Sequence, residues 1–485
     1  MLYGDRSIEN TDGTIRSLSN RHVQMIAIGG TIGTGLFLGA GTTISATGPS
    51  VIFIYAIMGL FFFFLLRALG EMFYFDSNSH TFVSFITRYL GEAAGRFAGW
   101  TYWIGILFAC MAELTAVTTY DQYWLPGLPA WLIEVSVLGL LTLLNLTAAK
   151  LFGETEFWFA MIKIIAIISL VVTGIIMVAA NAKTPVGHAS LSNFTGSFSL
   201  LPKGKYAFFT AFPMVFFSFA GIEFVTITIG EAKNPKKVIK KAVNETLLRI
   251  LLFYIATLAV IMCVIPWGKI TSGTSPFVQV FKIAGFNAVA SVFNFVVLTA
   301  AASSLNSGIF SAGRHFFQLA EEAPKDSFLK KHFAKISANG VPAAGIVISV
   351  ALMLIAPIMS FSSTAIEVFG TVAGATSDMY ILVYVLALLA HRKYRESSDF
   401  IAAGFKMPFY KLSSPLTIAF FLVIFFSLFF IPADVFGASL AASWALPLWG
   451  LVLAQRKALK CPSEFKQLKL NKLKSVDRFF CQRLF

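Results

Sequence analysis

The sequence predicts an all-α, polytopic membrane protein, and three observations carry that prediction. Hydrophobic residues make up 57% of the 485 and charged residues only 13%, with a mean hydropathy of +0.75. Soluble domains carry about 25% charged residues. Apolar runs of about 20 residues, the length that crosses a bilayer, recur along the chain. Lys and Arg, 38 in all, gather in alternate connections between those runs.

Polar breaks divide the chain into twelve predicted spans, at 23–45, 51–75, 97–120, 129–148, 157–180, 207–229, 244–266, 286–312, 342–358, 363–390, 412–431 and 436–455. Residues 1–22 are mostly polar, and the apolar run that follows is too long for a signal-peptide core. They read as a cytoplasmic N-terminal segment. With this segment inside, nearly all Lys and Arg fall on the cytoplasmic side, which predicts both termini in the cytoplasm. The net charge of +14 is thereby topological, and it speaks against nucleic acid as a partner.

Cys110 and Cys263 lie in spans, and Cys461 and Cys481 in the basic tail, so no disulfide framework is expected. The tail, 456–485, spaces Phe465, Leu468, Leu473, Val476 and Phe479 among lysines at helical intervals. This predicts an amphipathic helix on the inner leaflet; a solvated tail is the alternative.

Two spans look interrupted. In the first, Gly29, Gly30, Gly33 and Gly35 with Thr31 and Thr34 fall mid-span, and Gly and β-branched residues weaken a helix. In the sixth, Pro213 is followed by Ser218, Ala220, Gly221 and Glu223. Unwound backbone at membrane depth is tolerated where it lines a protein cavity. Broken helices, whose free N–H and C=O groups face each other, are how secondary transporters hold small charged ligands. The two breaks lie five spans apart. That spacing predicts two five-helix repeats of inverted topology, 23–180 and 207–390, plus two additional helices at 412–455. The bland alternative is that small residues merely let helices approach, and this is the reading for Gly39 and Gly41.

A zwitterionic ligand fits such a site without charged side chains. Its carboxylate suits the N–H groups of Thr34 and Gly35 at the positive end of a half-helix. Its ammonium suits unpaired carbonyls near Ala27, Ile28 and Phe217 to Phe219, with Phe217 as an aromatic lid; Thr31, Gly33, Ser218 and Gly221 belong to the same expected substrate site. The intramembrane ionisable residues are functional candidates by default. Lys163 lies roughly 9 Å into the fifth span; it either snorkels to the interface or faces the bundle, holds the first span in place of a metal ion and titrates during transport. Glu113 faces the pocket or a packing partner, and Glu223 follows the sixth-span break. Either carboxylate could carry a coupled proton, with Glu223 preferred and Asp378 a weaker candidate. Ser303 and Ser304 offer hydroxyls from the eighth span, or act as packing glue.

The segments SNRHVQMIAIGGTIGTGLFLGAG, RALGEM, WTYWIGILFACMAELTAV, FGETEFWFAMIKIIAI, FSFAGIEFVTITIGEAKNPKK and VVLTAAASSLNSGIFSAGR, in this order, resemble bacterial amino acid permeases. These belong to the amino acid/polyamine/organocation (APC) superfamily, in its amino acid transporter branch. The resemblance runs from about Arg16 to Leu453. It implies a LeuT-like fold and proton-coupled uptake of an amino acid at the inner membrane by alternating access. It also implies that Gly33-Thr34-Gly35 is the carboxylate motif, Phe217 the gating aromatic, and Lys163 the lysine standing in for a sodium ion. AASSLNSGIFSAGR and EFWFAMIKI look most like permeases for glycine, D-alanine and D-serine, whereas MAEL looks like those for aromatic amino acids.

A proton-driven importer of a small neutral amino acid is therefore the expected function. An amino acid exchanger, an aromatic amino acid permease and a non-transporting amino acid sensor are the alternatives. No nucleophile–base pair, cofactor motif or metal-ligand cluster argues for an enzyme. The sequence leaves the oligomeric state open.

Overall fold

The computed structural model describes residues 31–77, 79, 81–147, 152–196, 198–223, 235–337, 341–431, 435, 437–439 and 441–446, with the backbone alone for 152–157, 235, 237, 238 and 241. Ala27, Ile28, Gly29, Gly30, Cys461, Cys481, the tail 456–485 with its expected amphipathic helix, and the end of the twelfth span lie outside these residues.

The chain is an all-α, multi-pass membrane protein, its helices relieved only by a short antiparallel pair, Lys183–Thr184 and Gly187–His188, among the described residues. Among the described residues, eight helices are long and apolar enough to cross a membrane, and Ala343–Met359 is a shorter apolar stretch. The predicted spans two, three, four, seven, eight, ten and eleven correspond to the helices Val51–Phe75, Glu92–Asp121, Ala130–Thr147, Pro235–Val264, Asn287–Glu322, Ala365–Glu396 and Tyr410–Leu428. The fifth is Phe152–Ala179. The third, fifth, seventh, eighth and tenth helices overrun their predicted spans, because a helix satisfies its own backbone groups and can continue past the apolar slab. The eighth, predicted to stop at 312, runs on to Glu322. The ninth is two pieces, Ala343–Met353 and Ile355–Met359.

The third and tenth spans form the centre, with 83% and 78% of their apolar windows buried, against 28% and 33% for the fourth and fifth. Leu140, Leu143, Val172, Ile175 and Ile176 on those outer spans are exposed, as expected of side chains that face lipid. The interior places the charged and hydroxyl-bearing residues where no lipid reaches them. Short helices that hydropathy does not reveal cover the ends of the bundle. Val83–Leu90 precedes the third span, and Pro276–Ile283 precedes the eighth.

Candidate functional site

The first span breaks where its glycines predict. Ile32 and Gly33 leave the helix, Gly33 being extended, and a short helix restarts at Thr34–Phe37. The N–H groups of Leu36 and Phe37 both reach the Gly33 carbonyl. Those of Thr34 and Gly35, at the start of the turn, have no carbonyl behind them in the helix. The Thr34 N–H donates to Glu113 Oε1 at 3.4 Å. A side-chain carboxylate thus stands where the sequence predicts a ligand's.

The sixth span runs Gly204–Thr210 and Phe212–Phe219, then opens. Ala220 turns to ψ 140° and Gly221 takes φ +89°. Glycine enters that left-handed region without steric cost. The carbonyls expected to be bare are engaged. Phe217 O accepts from Ala220 N at 3.0 Å and Phe219 O from Ile222 N at 3.2 Å. Ser218 O accepts from the Tyr254 hydroxyl at 2.7 Å. The correction has a simple cause: opening a helix lets the chain form tight turns and recruit neighbours, and each carbonyl still keeps a second lone pair.

The two breaks touch. A Cβ on Gly35 would lie 2.5 Å from Ser218 Cα, so only glycine permits this approach of one backbone to the other. The Tyr254 hydroxyl, from the seventh span, also reaches the Thr31 carbonyl at 3.1 Å. From the second span, the Tyr55 hydroxyl is 3.0 Å from Ser218 Oγ. Gly39 and Gly41 are packing glycines, as expected: a Cβ would meet Met214 Sδ at 2.8 Å or the Thr271 and Thr274 carbonyls at 3.2 Å.

Lys163 is fully buried, and its Nζ donates to Ser304 Oγ at 3.0 Å. It faces the bundle, and the snorkelling alternative falls away. Ser304 Oγ lies 3.7 Å from the position of a Gly33 Cβ, and Glu113 Oε1 lies 2.7 Å from it. The fifth, eighth and third spans therefore converge on the first-span break. Ser303 is buried beside Ser304. Phe217 stands edge-on to Phe369 with ring centres 5.9 Å apart. Glu223 is fully buried, and each of its oxygens accepts a tyrosine hydroxyl, Tyr102 at 2.9 Å and Tyr384 at 2.6 Å. Asp378 is buried, with Oδ2 3.5 Å from a Gly437 Cβ position, so it faces the twelfth span rather than the breaks.

Sequence reasoning missed the four tyrosines, and a signal for them exists. The chain has 13 Tyr against 51 Phe, and a tyrosine in an apolar run needs a partner for its hydroxyl. It also passed over two buried carboxylates. Glu71 meets His391, Arg395 and the Met407 N–H. Glu134 accepts from Ser360 Oγ at 2.8 Å. A cavity of about 530 Å³ lies at the Asp121 end of the third span, lined among others by Tyr120, Gln122, Lys269, Gln279, Lys282 and Asn294. None of its lining residues belongs to the breaks. Among the described residues, no group of three or more His, Cys, Asp or Glu could hold a metal ion.

Compared with known proteins, the chain matches the family model described as amino acid permease over residues 22–458. It is 44% identical over 453 residues to the DL-alanine permease SerP2 of Lactococcus lactis subsp. cremoris, covering 93% of this chain and 98% of that one. The serine permease SerP1 of the same organism is 45% identical over 445 residues, covering 90% and 96%. The D-serine/D-alanine/glycine transporter of Escherichia coli is 43% identical over 413 residues, covering 84% and 87%.

Proposed function

This chain belongs to the amino acid permease family, and from that premise we propose that it imports a small neutral amino acid, such as alanine, serine or glycine, together with a proton. Transport proceeds by alternating access across the bacterial cytoplasmic membrane, both termini lying inside, with the halves 23–180 and 207–390 moving against each other. The names of the relatives support the substrate class. The placement of Glu113 supports the coupling.

Glu113 Oε1 accepts the Thr34 N–H, one of the two first-turn donors suited to a substrate carboxylate. Two carboxylates cannot share that donor at low cost, because like charges repel in a poorly solvated site. A proton on Glu113 removes its charge and weakens its claim on Thr34. The substrate carboxylate then takes Thr34 and Gly35, so proton and substrate arrive together. The substrate ammonium turns to the second lone pairs of the Thr31, Phe217 and Phe219 carbonyls. Lys163, through Ser304, supplies a fixed positive charge beside the break, which removes the need for a metal ion. Glu223, held by Tyr102 and Tyr384, braces the sixth span. Phe217 against Phe369 closes the site and limits side-chain size. No bond of the substrate is made or broken; the protein is a carrier and not a catalyst.

Uptake of labelled L-alanine and L-serine into proteoliposomes tests this reading. The expected outcome is accumulation that requires an inward proton gradient. Uptake that requires internal amino acid and ignores the gradient would make the protein an exchanger and overturn the coupling. Binding without flux would make it a sensor.

A further inference from the structure

We propose that Tyr254 is a positioning residue that ties the two broken spans together through a single proton, so that ordering one break orders the other. The inference rests on the amino acid site proposed above. A tyrosine hydroxyl has one hydrogen to donate, yet two main-chain carbonyls from different spans converge on this one: Ser218 O at 2.7 Å and Thr31 O at 3.1 Å. Thr31 and Ser218 each lie within a few residues of a break, and both residues are buried. Thr31 is 3% exposed, Ser218 2% and Tyr254 fully buried.

The ring is seated independently of the hydroxyl. It stands edge-on to Tyr55 at 5.5 Å and to Phe219 at 5.4 Å. A phenylalanine would keep that seat and lose only the O–H. The two breaks already touch at Gly35 and Ser218, and contact alone transmits a push. A shared donor also transmits a pull, since a break that withdraws takes its carbonyl off the proton.

Tyr55 supplies the internal control. Ser218 Oγ donates its own proton to Met214 O at 3.1 Å, so in the 3.0 Å contact Tyr55 is the donor and Ser218 Oγ the acceptor. Tyr55 therefore steadies one side chain of the sixth span, and its hydroxyl also meets the Thr43 side chain on the outer part of the first span, but it holds no main-chain carbonyl at either break. Two tyrosines of equal burial thus differ in what the hydroxyl holds, main-chain carbonyls at both breaks for Tyr254 and side chains alone for Tyr55.

The test compares Tyr254→Phe with Tyr55→Phe in proteoliposomes, reading L-alanine uptake, together with amide hydrogen exchange of residues 31–36 and 218–222. Tyr254→Phe should raise KM about tenfold, the scale of one buried hydrogen bond lost with its acceptor left bare, with the maximal rate changed much less. It should also speed exchange in both segments together. Tyr55→Phe should raise KM less than about threefold and affect 218–222 alone. A wild-type KM in Tyr254→Phe, equal effects of the two variants, or faster exchange in one segment only would overturn the proposal. So would failure of Tyr254→Phe to reconstitute at wild-type yield, since the tyrosine would then be a folding element. Wild-type protein that takes up neither alanine nor serine would sink the functional reading instead, and the exchange measurement, which needs no substrate, would still decide the role of Tyr254.

Discussion

Two buried clusters of charge are built on opposite plans. Glu71, on the second span, is surrounded by donors: Met407 N at 2.8 Å, His391 Nε2 at 3.0 Å, and Arg395 with one nitrogen at 2.7 Å and Nε at 2.6 Å. This joins the second span, the tenth span and the connection that follows it into one clasp. Glu113, at the breaks, instead holds a main-chain N–H by a long contact of 3.4 Å. A carboxylate gripped from several sides by charged donors stays where it is. A carboxylate that meets a single neighbouring residue, Thr34, with the Lys163 charge nearby, can be displaced by another. The contrast separates a group that fixes helices from one that can exchange partners, although both are buried acids in a membrane protein.

That contrast can be broken by substitution. The largest expected effect is Gly35→Val, because a Cβ would sit 2.5 Å from Ser218 Cα; uptake should be abolished while membrane insertion and yield persist. Near-normal uptake would remove the breaks as the site. Next comes Glu71→Ala, which strands Arg395 and His391 in the interior and should cost about 3–5 kcal/mol, read as a lowered melting temperature in detergent. A melting temperature equal to wild type would erase the distinction between the clusters.

Glu113→Gln should leave stability within about 1 kcal/mol and flatten the dependence of uptake on the proton gradient. Wild-type uptake should rise as the outside pH falls between about 8 and 5, whereas the variant should not respond. A variant that still follows the gradient would return the coupling to Glu223. Lys163→Ala should lower uptake more than it lowers the melting temperature, and unchanged kinetics across the same pH range would reduce the lysine to packing. The smallest effect belongs to Glu134→Gln, which keeps an oxygen for Ser360 and should shift stability by less than about 1 kcal/mol.

How much of this was legible in the sequence follows from how local each signal is. Spans and breaks were readable because hydropathy, glycine and proline act on the residues around them; Gly221 and Gly35 sit where the sequence pattern placed the openings. Lys163 was readable as an intramembrane charge, but its partner Ser304 is 141 positions away. The engagement of the break carbonyls was not readable, since Tyr254 reaches Thr31 across 223 positions. The grip of Glu113 on Thr34 spans 79 positions, too far for the sequence to choose between pocket and packing partner. Hydropathy counts a tyrosine as another aromatic, so it hides the hydroxyl that matters here. The division into repeats is carried only by the spacing of the two openings.

The contact between Gly35 and Ser218 has a mechanical corollary. With no side chain between them, backbone bears directly on backbone, and the proposed rocking of the two halves would pivot there. A pair of bodies rolling about a fulcrum beside the cargo opens a wide mouth at either rim while the cargo itself barely moves. Thickening that fulcrum by a few carbon atoms would wedge both mouths at once.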